Sequence, residues 1–472
     1  MSVVAEDTKW QSLLDDLAKK HVVPGASLAV LADGEITTAV TGVTHLETQA
    51  PVGVNTLFQI GSTTKTYTAT LVMQLVDEGL LELDQPAADV IKDLRFGSDE
   101  EGRKVTVRQL LAHTSGLLGD DFGNFPASDD WGRGEDAVER YVTETCPTLP
   151  RISSPDHSMS YNNAGYIVLG RLIETLRGKP YAAALKEHLL GPLGATRTAT
   201  LPEEAIMHSV AVGHTPADAE NLKTSVVAPL WQLPTAYAPA GALLCACPTD
   251  VLLLAHVLLN EGKAQNGTQI LSPESVAAMR AQQIGVPLPN MLNVDSWGLG
   301  LFLFEWSGQR GFGHNGDTIG QHCEFRVFPD SETALVLSVN GGIAETVFAE
   351  EVTDEVFSEL ADIRVPKLPT EPVAIELDLT RLAGTFSTPN VVMETKVKDG
   401  SLVISIEPQG AAAALSTIPP LKEVELVPVA EGGFMFDLLG VLNVSLAFFD
   451  FDEQGKARYL HLGARATPRA DL

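Results

Sequence analysis

Positive charge is scarce in this chain. Its 472 residues carry 32 Lys and Arg against 61 Asp and Glu, a formal net charge of −29. Nucleic-acid phosphates need clustered Lys and Arg, so the balance argues against nucleic acid as a partner, and equally against an anionic membrane surface. The excess negative charge reads as a solubility feature. Cysteine is scarce as well. Cys146, Cys245, Cys247 and Cys323 are the whole set, and Cys245 and Cys247 stand too close together to close a useful loop. No His/Cys cluster surrounds them, so they read as buried thiols and not as a metal or redox site. Long apolar runs are missing: Val251 to Leu259 is among the longest and too short to span a bilayer. The first residues, Met1 to Asp7, offer neither a basic region nor an apolar one of the kind that opens a secretory leader. The expectation is a cytoplasmic protein. Repeats, low-complexity tracts, a nucleotide-binding glycine motif and a Gly-x-Ser-x-Gly elbow are all absent, and the last absence disfavours an α/β-hydrolase.

What is present begins with Ile60-Gly61-Ser62-Thr63-Thr64-Lys65-Thr66. No other serine in the chain has a lysine three residues on. Three residues are about one helical turn, so Ser62 and Lys65 share a face if this segment is helical. A serine hydroxyl is a weak nucleophile until a base removes its proton, and a lysine can do so once burial or neighbouring charge lowers its pKa. Alone the pair is weak evidence, because about one Ser-x-x-Lys is expected by chance at this length. Ser62 could be a helix N-cap and Lys65 an exposed helix lysine. Order strengthens the pair: Tyr161-Asn162-Asn163 follows about a hundred residues later, and then His314-Asn315-Gly316-Asp317.

Ser-x-x-Lys, Tyr-x-Asn and basic-x-Gly in this order resemble the three motifs of the penicillin-recognising serine enzymes, most closely the class C β-lactamase branch. That branch includes D-aminopeptidases, D-Ala-D-Ala carboxypeptidases, esterases and stand-alone penicillin-binding-protein-type thioesterases. Leu110-Leu111-Ala112-His113-Thr114-Ser115-Gly116-Leu117, Ser160 to Tyr166 and Ala240-Gly241-Ala242-Leu243 resemble further family segments, so the likeness spans roughly residues 20 to 340. It implies Ser62 as nucleophile, Lys65 as base or proton relay, and Tyr161 as second acid/base. Asn163 would hold Lys65 or the substrate amide. The backbone N–H groups of Ser62 and Asp317 would form the oxyanion hole. Asn315 joins the substrate-binding set, and Gly316 would let substrate approach the strand edge. Tyr161 and Asn163 also have plainer readings, as a half-buried tyrosine and a turn asparagine. His314 replaces the lysine common in β-lactamases. A neutral imidazole is a poorer carboxylate binder than a permanent ammonium, which argues against β-lactam turnover. His113 reads as structural, and His322 and Cys323 as packing residues.

The fold class expected is α/β (α+β), with an antiparallel sheet built from sequence-distant pieces and a helical insert. Lys9 to Lys19 reads as an amphipathic helix, then Ala26 to Leu31 and Ile36 to Val43 as a hairpin turning at Asp33-Gly34. A helix runs from Ser62 to near Gly79, and others cover Val105 to His113 and Tyr166 to Leu176. Strands return at Gly298 to Phe304, Gly311 to Gly316, Cys323 to Phe328 and Ala334 to Val339, followed by a helix near Glu345 to Leu360. The domains expected are a catalytic one over 1–364, a Pro-rich linker over 365–373 and a C-terminal lipocalin-like β-barrel over 374–472. Its strands read as Val391 to Val397, Leu402 to Ile406, Val424 to Val427, Val444 to Phe449 and Tyr459 to Leu462. The β domain is expected to cover the pocket or to stabilise the fold.

The resemblance predicts a serine hydrolase or acyltransferase acting on an amide or ester, either a peptide, D-residue-containing or not, or a small ester. A thioesterase taking a carrier-protein-bound peptide, a β-lactamase and a non-catalytic binding protein are the other readings. No metal or organic cofactor is expected.

Overall fold

The computed structural model describes residues 2–3, 8–97, 101–119, 134–217, 224–288, 293–342, 345–367, 371–415, 419–438, 440 and 442–470. Residues 368–370 of the expected linker lie outside that set.

A nine-stranded sheet forms the spine. Its centre joins the two ends of the catalytic region: the strand Gly25–Ala32 pairs antiparallel with Thr333–Val339, with Leu31 opposite Ala334. Thr333–Val339 in turn pairs with His322–Phe328, and that strand with Gln309–Asp317. The hairpin Gly25–Ala32/Glu35–Gly42 turns where expected. Asp33 and Gly34 both take positive φ, 51° and 75°, as a tight two-residue hairpin turn of matching twist requires.

Helices cover both faces of the sheet. On one face Thr8–His21 packs against Glu345–Ala361, burying Trp10, Leu14, Phe348, Val352 and Phe357. On the other lies the helical region, with Thr64–Asp77 at its heart. Twelve residues of that helix are buried, Lys65 among them. The buried set includes the polar Thr64, Thr66, Thr68, Thr70 and Gln74, so the helix is a core helix by position, and it carries the Ser-x-x-Lys motif into the interior.

Two expected elements differ. The helix expected over Val105 to His113 is only Val107–Leu111, opened by a capping box between Thr106 and Gln109. It stops because His113 adopts a left-handed φ of 58°. The strand expected from Gly298 starts at Phe302, because Gly300 turns the chain at φ 75°. There its carbonyl accepts from Thr66 Oγ1.

The C-terminal region is an eight-stranded antiparallel sheet from Gly384–Thr388 to Arg465–Pro468. A bridge between Phe386 and Arg469 nearly closes it into a barrel around Phe386, Phe434, Phe436 and Phe448. The strands Gly433–Leu438 and Arg465–Pro468 were not anticipated from sequence.

All four cysteines are free and buried. Burial pushes the Cys245 and Cys323 thiols up to about 12. Among the described residues no helix is long and apolar enough to cross a membrane.

Candidate active site

Ser62 lies in the 3₁₀ turn Gly61–Thr63 that leads into the helix Thr64–Asp77. Three backbone segments converge on it. A Cβ on Gly316 would stand 1.8 Å from the Ile60 carbonyl oxygen and 2.9 Å from Ser62 N. A Cβ on Gly241 would stand 2.4 Å from the Gly61 oxygen and 2.8 Å from Ser62 N. Real contacts do not come that close, so both positions require glycine. The room left by Gly316 on its Cβ side is taken by the protein's own backbone. It brings the strand Gln309–Asp317 against the serine turn, with Asp317 N 2.6 Å from where a Cβ on Gly61 would be. The N–H groups of Ser62 and Asp317 are thereby placed on adjoining backbones at a helix N-terminus, a setting that favours negative charge.

Lys65 Nζ is 3.1 Å from Ser62 Oγ and donates to the Ala240 carbonyl at 2.6 Å. The lysine is fully buried, and Ser62 is half-buried and open to the cavity. Nζ lies 4.8 Å from the Tyr161 ring centre and 5.5 Å from that of Tyr166.

Tyr161 and Asn163 reach the same cavity because Asn162 between them is extended and turns its side chain inward. Asn162 caps the helix Asn163–Arg177, accepting from Gly165 N at 2.6 Å. Its amide also donates to the Leu117 carbonyl. His113 holds this segment from behind. Its Nδ1 accepts from Asn162 N, its carbonyl accepts from Ser160 N, and its ring lies 4.4 Å from that of Tyr161. The family histidine after the short helix therefore works as a brace for the tyrosine.

His314 is buried beside Phe302, ring centres 4.8 Å apart. Its Nδ1–H donates to the Asn315 carbonyl, which leaves Nε2 with the lone pair. Burial, and then the charge of Lys65, pull its pKa down to about 3, so it is a neutral imidazole at working pH. Asn315 lines the cavity, but its side-chain oxygen accepts from Arg326 Nη1 at 2.5 Å. Asp317 pairs with His322 at 2.7 Å. His322 is thus an ion-pair member and not the packing residue expected; Cys323, on the other face of the strand, does pack in the core.

The cavity has a volume of about 430 Å³. Its apolar wall is Leu233, Tyr237, Trp297 and Phe302. The C-terminal barrel supplies the opposite wall through Gly463, Ala464 and Arg465. Tyr161 N donates to the Ala464 carbonyl at 2.8 Å, and the Arg465 guanidinium lies 5.2 Å from the Tyr161 ring centre. Arg465 was missed from sequence: it sits in an ordinary hairpin, and only the docking of the barrel brings it here.

The histidines set a pH profile for stability. The unfolded chain binds protons on these rings as pH falls through about 6.5. Folded His314 does so only near 3, and His461, which burial holds down, near 4. Their contribution is complete above about 6.5 and is lost as pH falls toward 4. His322 has the opposite sign. Burial opposes its charge, but Asp317 and Glu324 outweigh burial and raise it to about 10. Its contribution is complete below about 6.5 and is lost as pH rises toward 10. The melting temperature is expected to peak near pH 7 and to fall on both sides. A thermal-melt series across pH 4.5 to 10 checks this, and a flat acid limb contradicts the buried neutral imidazoles.

Fold and site together define a serine enzyme of the β-lactamase kind, and the family profile described as Beta-lactamase matches residues 10–354. The chain belongs to the β-lactamase family, a family of serine hydrolases. Penicillin-binding protein 4 of Amycolatopsis lactamdurans is 40% identical over 381 residues, 80% of this chain and 96% of that protein. Among solved structures SurE is similar with a TM-score of 0.75 and 26% identity, covering 98% of each chain. SurE has also been solved with D-Leu. A D-amino acid amidase from Ochrobactrum anthropi SV3, complexed with L-phenylalanine amide, is similar with a TM-score of 0.62 and 25% identity, covering 74% of this chain and 98% of its own.

Proposed function

We propose that this protein forms an acyl-enzyme on Ser62 from an amide or ester whose acyl residue is apolar, and passes the acyl group to water or an amine. The observation that carries this is the buried Lys65 amine 3.1 Å from the Ser62 hydroxyl. Lys65 Nζ is within hydrogen-bond reach of that hydroxyl, so it is the group placed to take the hydroxyl proton as Oγ attacks the substrate carbonyl. The carbonyl oxygen, now negative, is met by the N–H groups of Ser62 and Asp317. The tetrahedral carbon then expels the amine or alcohol, which takes its proton through Tyr161. Deacylation runs the same steps in reverse, with water or an amine as the nucleophile. Asn163 orients the substrate amide.

The wall of Leu233, Tyr237, Trp297 and Phe302 favours an apolar acyl residue. The likeness to a D-amino acid amidase, and to SurE solved with D-Leu, supports a D-configured aminoacyl or peptidyl substrate. A second reading, release or cyclisation of a peptide from a thioester, is favoured by the barrel wall at Gly463 to Arg465 and by a likeness to SurE that extends over the barrel. A panel of p-nitrophenyl esters, D- and L-aminoacyl amides and peptidyl thioesters separates the two. Turnover of amides with D over L preference supports the first reading, and preference for thioesters the second. No turnover of any member contradicts both.

A chromogenic cephalosporin is expected to be hydrolysed slowly, because no permanent ammonium stands where His314 does. His314→Lys is expected to raise kcat/KM for carboxylate-bearing substrates relative to neutral esters by about tenfold. Efficient cephalosporin turnover by the unmodified protein contradicts this reading of His314.

A further inference from the structure

We propose that His322, Glu324 and Arg326 are positioning residues that fix the segment Asn315–Asp317, and with it the Asp317 N–H of the oxyanion hole. The proposal rests on the Ser62 reading above and adds residues outside the cavity to it.

In the strand His322–Phe328 the side chains alternate. Cys323, Phe325 and Val327 enter the core on the Ser62 side, so His322, Glu324 and Arg326 face the other way. Across the ladder His322 stands opposite Asp317, Glu324 opposite Asn315 and Arg326 opposite Gly313. The polar groups form one continuous chain. Asp317 Oδ1 is 2.7 Å from His322 Nδ1, and His322 Nε2 is 3.4 Å from Glu324 Oε2. Glu324 Oε1 is 2.8 Å from Arg326 Nη2, and Arg326 Nη1 donates to Asn315 Oδ1 at 2.5 Å. His322, Glu324 and Arg326 are 1%, 5% and 2% exposed. The Arg326 guanidinium also lies 5.1 Å from the Phe302 ring centre and 5.5 Å from that of Phe304, which holds it in plane.

Two features point past stability. Buried ion pairs are commonly no better for stability than apolar residues of the same volume, because desolvation offsets their attraction. Three buried charged side chains on one strand, His322, Glu324 and Arg326, therefore call for a geometric reason. The second feature is where the chain ends. Its two termini are Asn315 and Asp317, the neighbours of Gly316. Gly316 has no side chain to anchor it and must pack against Ile60 and Ser62 without one. Anchoring the residue on either side holds the glycine and the next N–H in place. An oxyanion donor acts only within a few tenths of an ångström of its place, and losing one costs about 10²–10³ in kcat.

The test uses the full chain with His322→Gln, Arg326→Lys, Asp317→Asn and the double variant His322→Gln/Asp317→Asn. Asp317 has a side chain 65% exposed, so its amide variant is the one that survives folding if the buried ones do not. The readouts are kcat and KM on a p-nitrophenyl ester, the affinity of an aryl boronic acid that forms a tetrahedral adduct with the serine, and the thermal melt. Each single variant is expected to lower kcat and boronate affinity together by about tenfold, a fraction of a full donor loss. KM should stay within about twofold. The double variant, a neutral pair able to hydrogen-bond again, should recover part of the loss. Folded variants that keep kcat and boronate affinity within about twofold overturn the proposal, as does a loss confined to KM. A parent protein that binds no boronate overturns the Ser62 reading itself, before any variant is compared.

Discussion

Ser62→Ala is expected to abolish turnover and covalent labelling while leaving the melting temperature within a few degrees of the parent. Removing the nucleophile of a catalytic unit costs on the order of 10⁴-fold or more in kcat. Stability should survive because Ser62 is half-buried at the cavity, and the turn that holds it is built by backbone contacts with Gly316 and Gly241. Its hydroxyl hydrogen-bonds to Lys65, whose amine keeps the Ala240 carbonyl as a partner after the change. The measurement pairs ester hydrolysis with fluorophosphonate labelling and a melt. A folded alanine variant with more than a few per cent of parental activity shows that another group attacks.

Lys65→Arg is expected to fail nearly as badly as Lys65→Ala, by about 10³-fold or more in kcat/KM. Arginine keeps the positive charge but does not release a proton at working pH. The site also has no room for it: Nζ is closed in by Ser62 Oγ, the Ala240 carbonyl and the rings of Tyr161 and Tyr166. Acylation rates measured by stopped flow on an activated ester separate the step at fault. An arginine variant that acylates at near the parental rate shows that Lys65 supplies charge alone, and moves the base role to Tyr161.

Much of the catalytic region is legible in the sequence because it depends on local pattern. The hairpin at Asp33-Gly34 follows from alternation and a turn dipeptide, and the helix after Ser62 from apolar spacing. The strand Thr333–Val339 shows itself as a continuous apolar run, as a doubly covered central strand should. Its pairing with Gly25–Ala32, some three hundred residues away, follows from having strands at both ends of a helical insert. What escapes is set by tertiary contact. Gly300 breaks an apparent strand because Thr66 and Ala69 of the serine helix pack against it. Arg465 has no local signature, and only the docked barrel makes it a cavity residue. His322 does carry a signal, in its alternation with Glu324 and Arg326 along a strand, but that pattern is also what a solvated strand face looks like. Burial distinguishes the two cases, and burial is not written in three residues.

The measurement closest to the central claim is intact-protein mass after mixing with a slowly deacylating activated ester, followed by peptide mapping. The account predicts one added acyl group per chain, carried by the peptide containing Ser62, appearing before product and absent from Ser62→Ala. Steady turnover with no adduct at any time, or an adduct on another residue that the alanine variant retains, contradicts it.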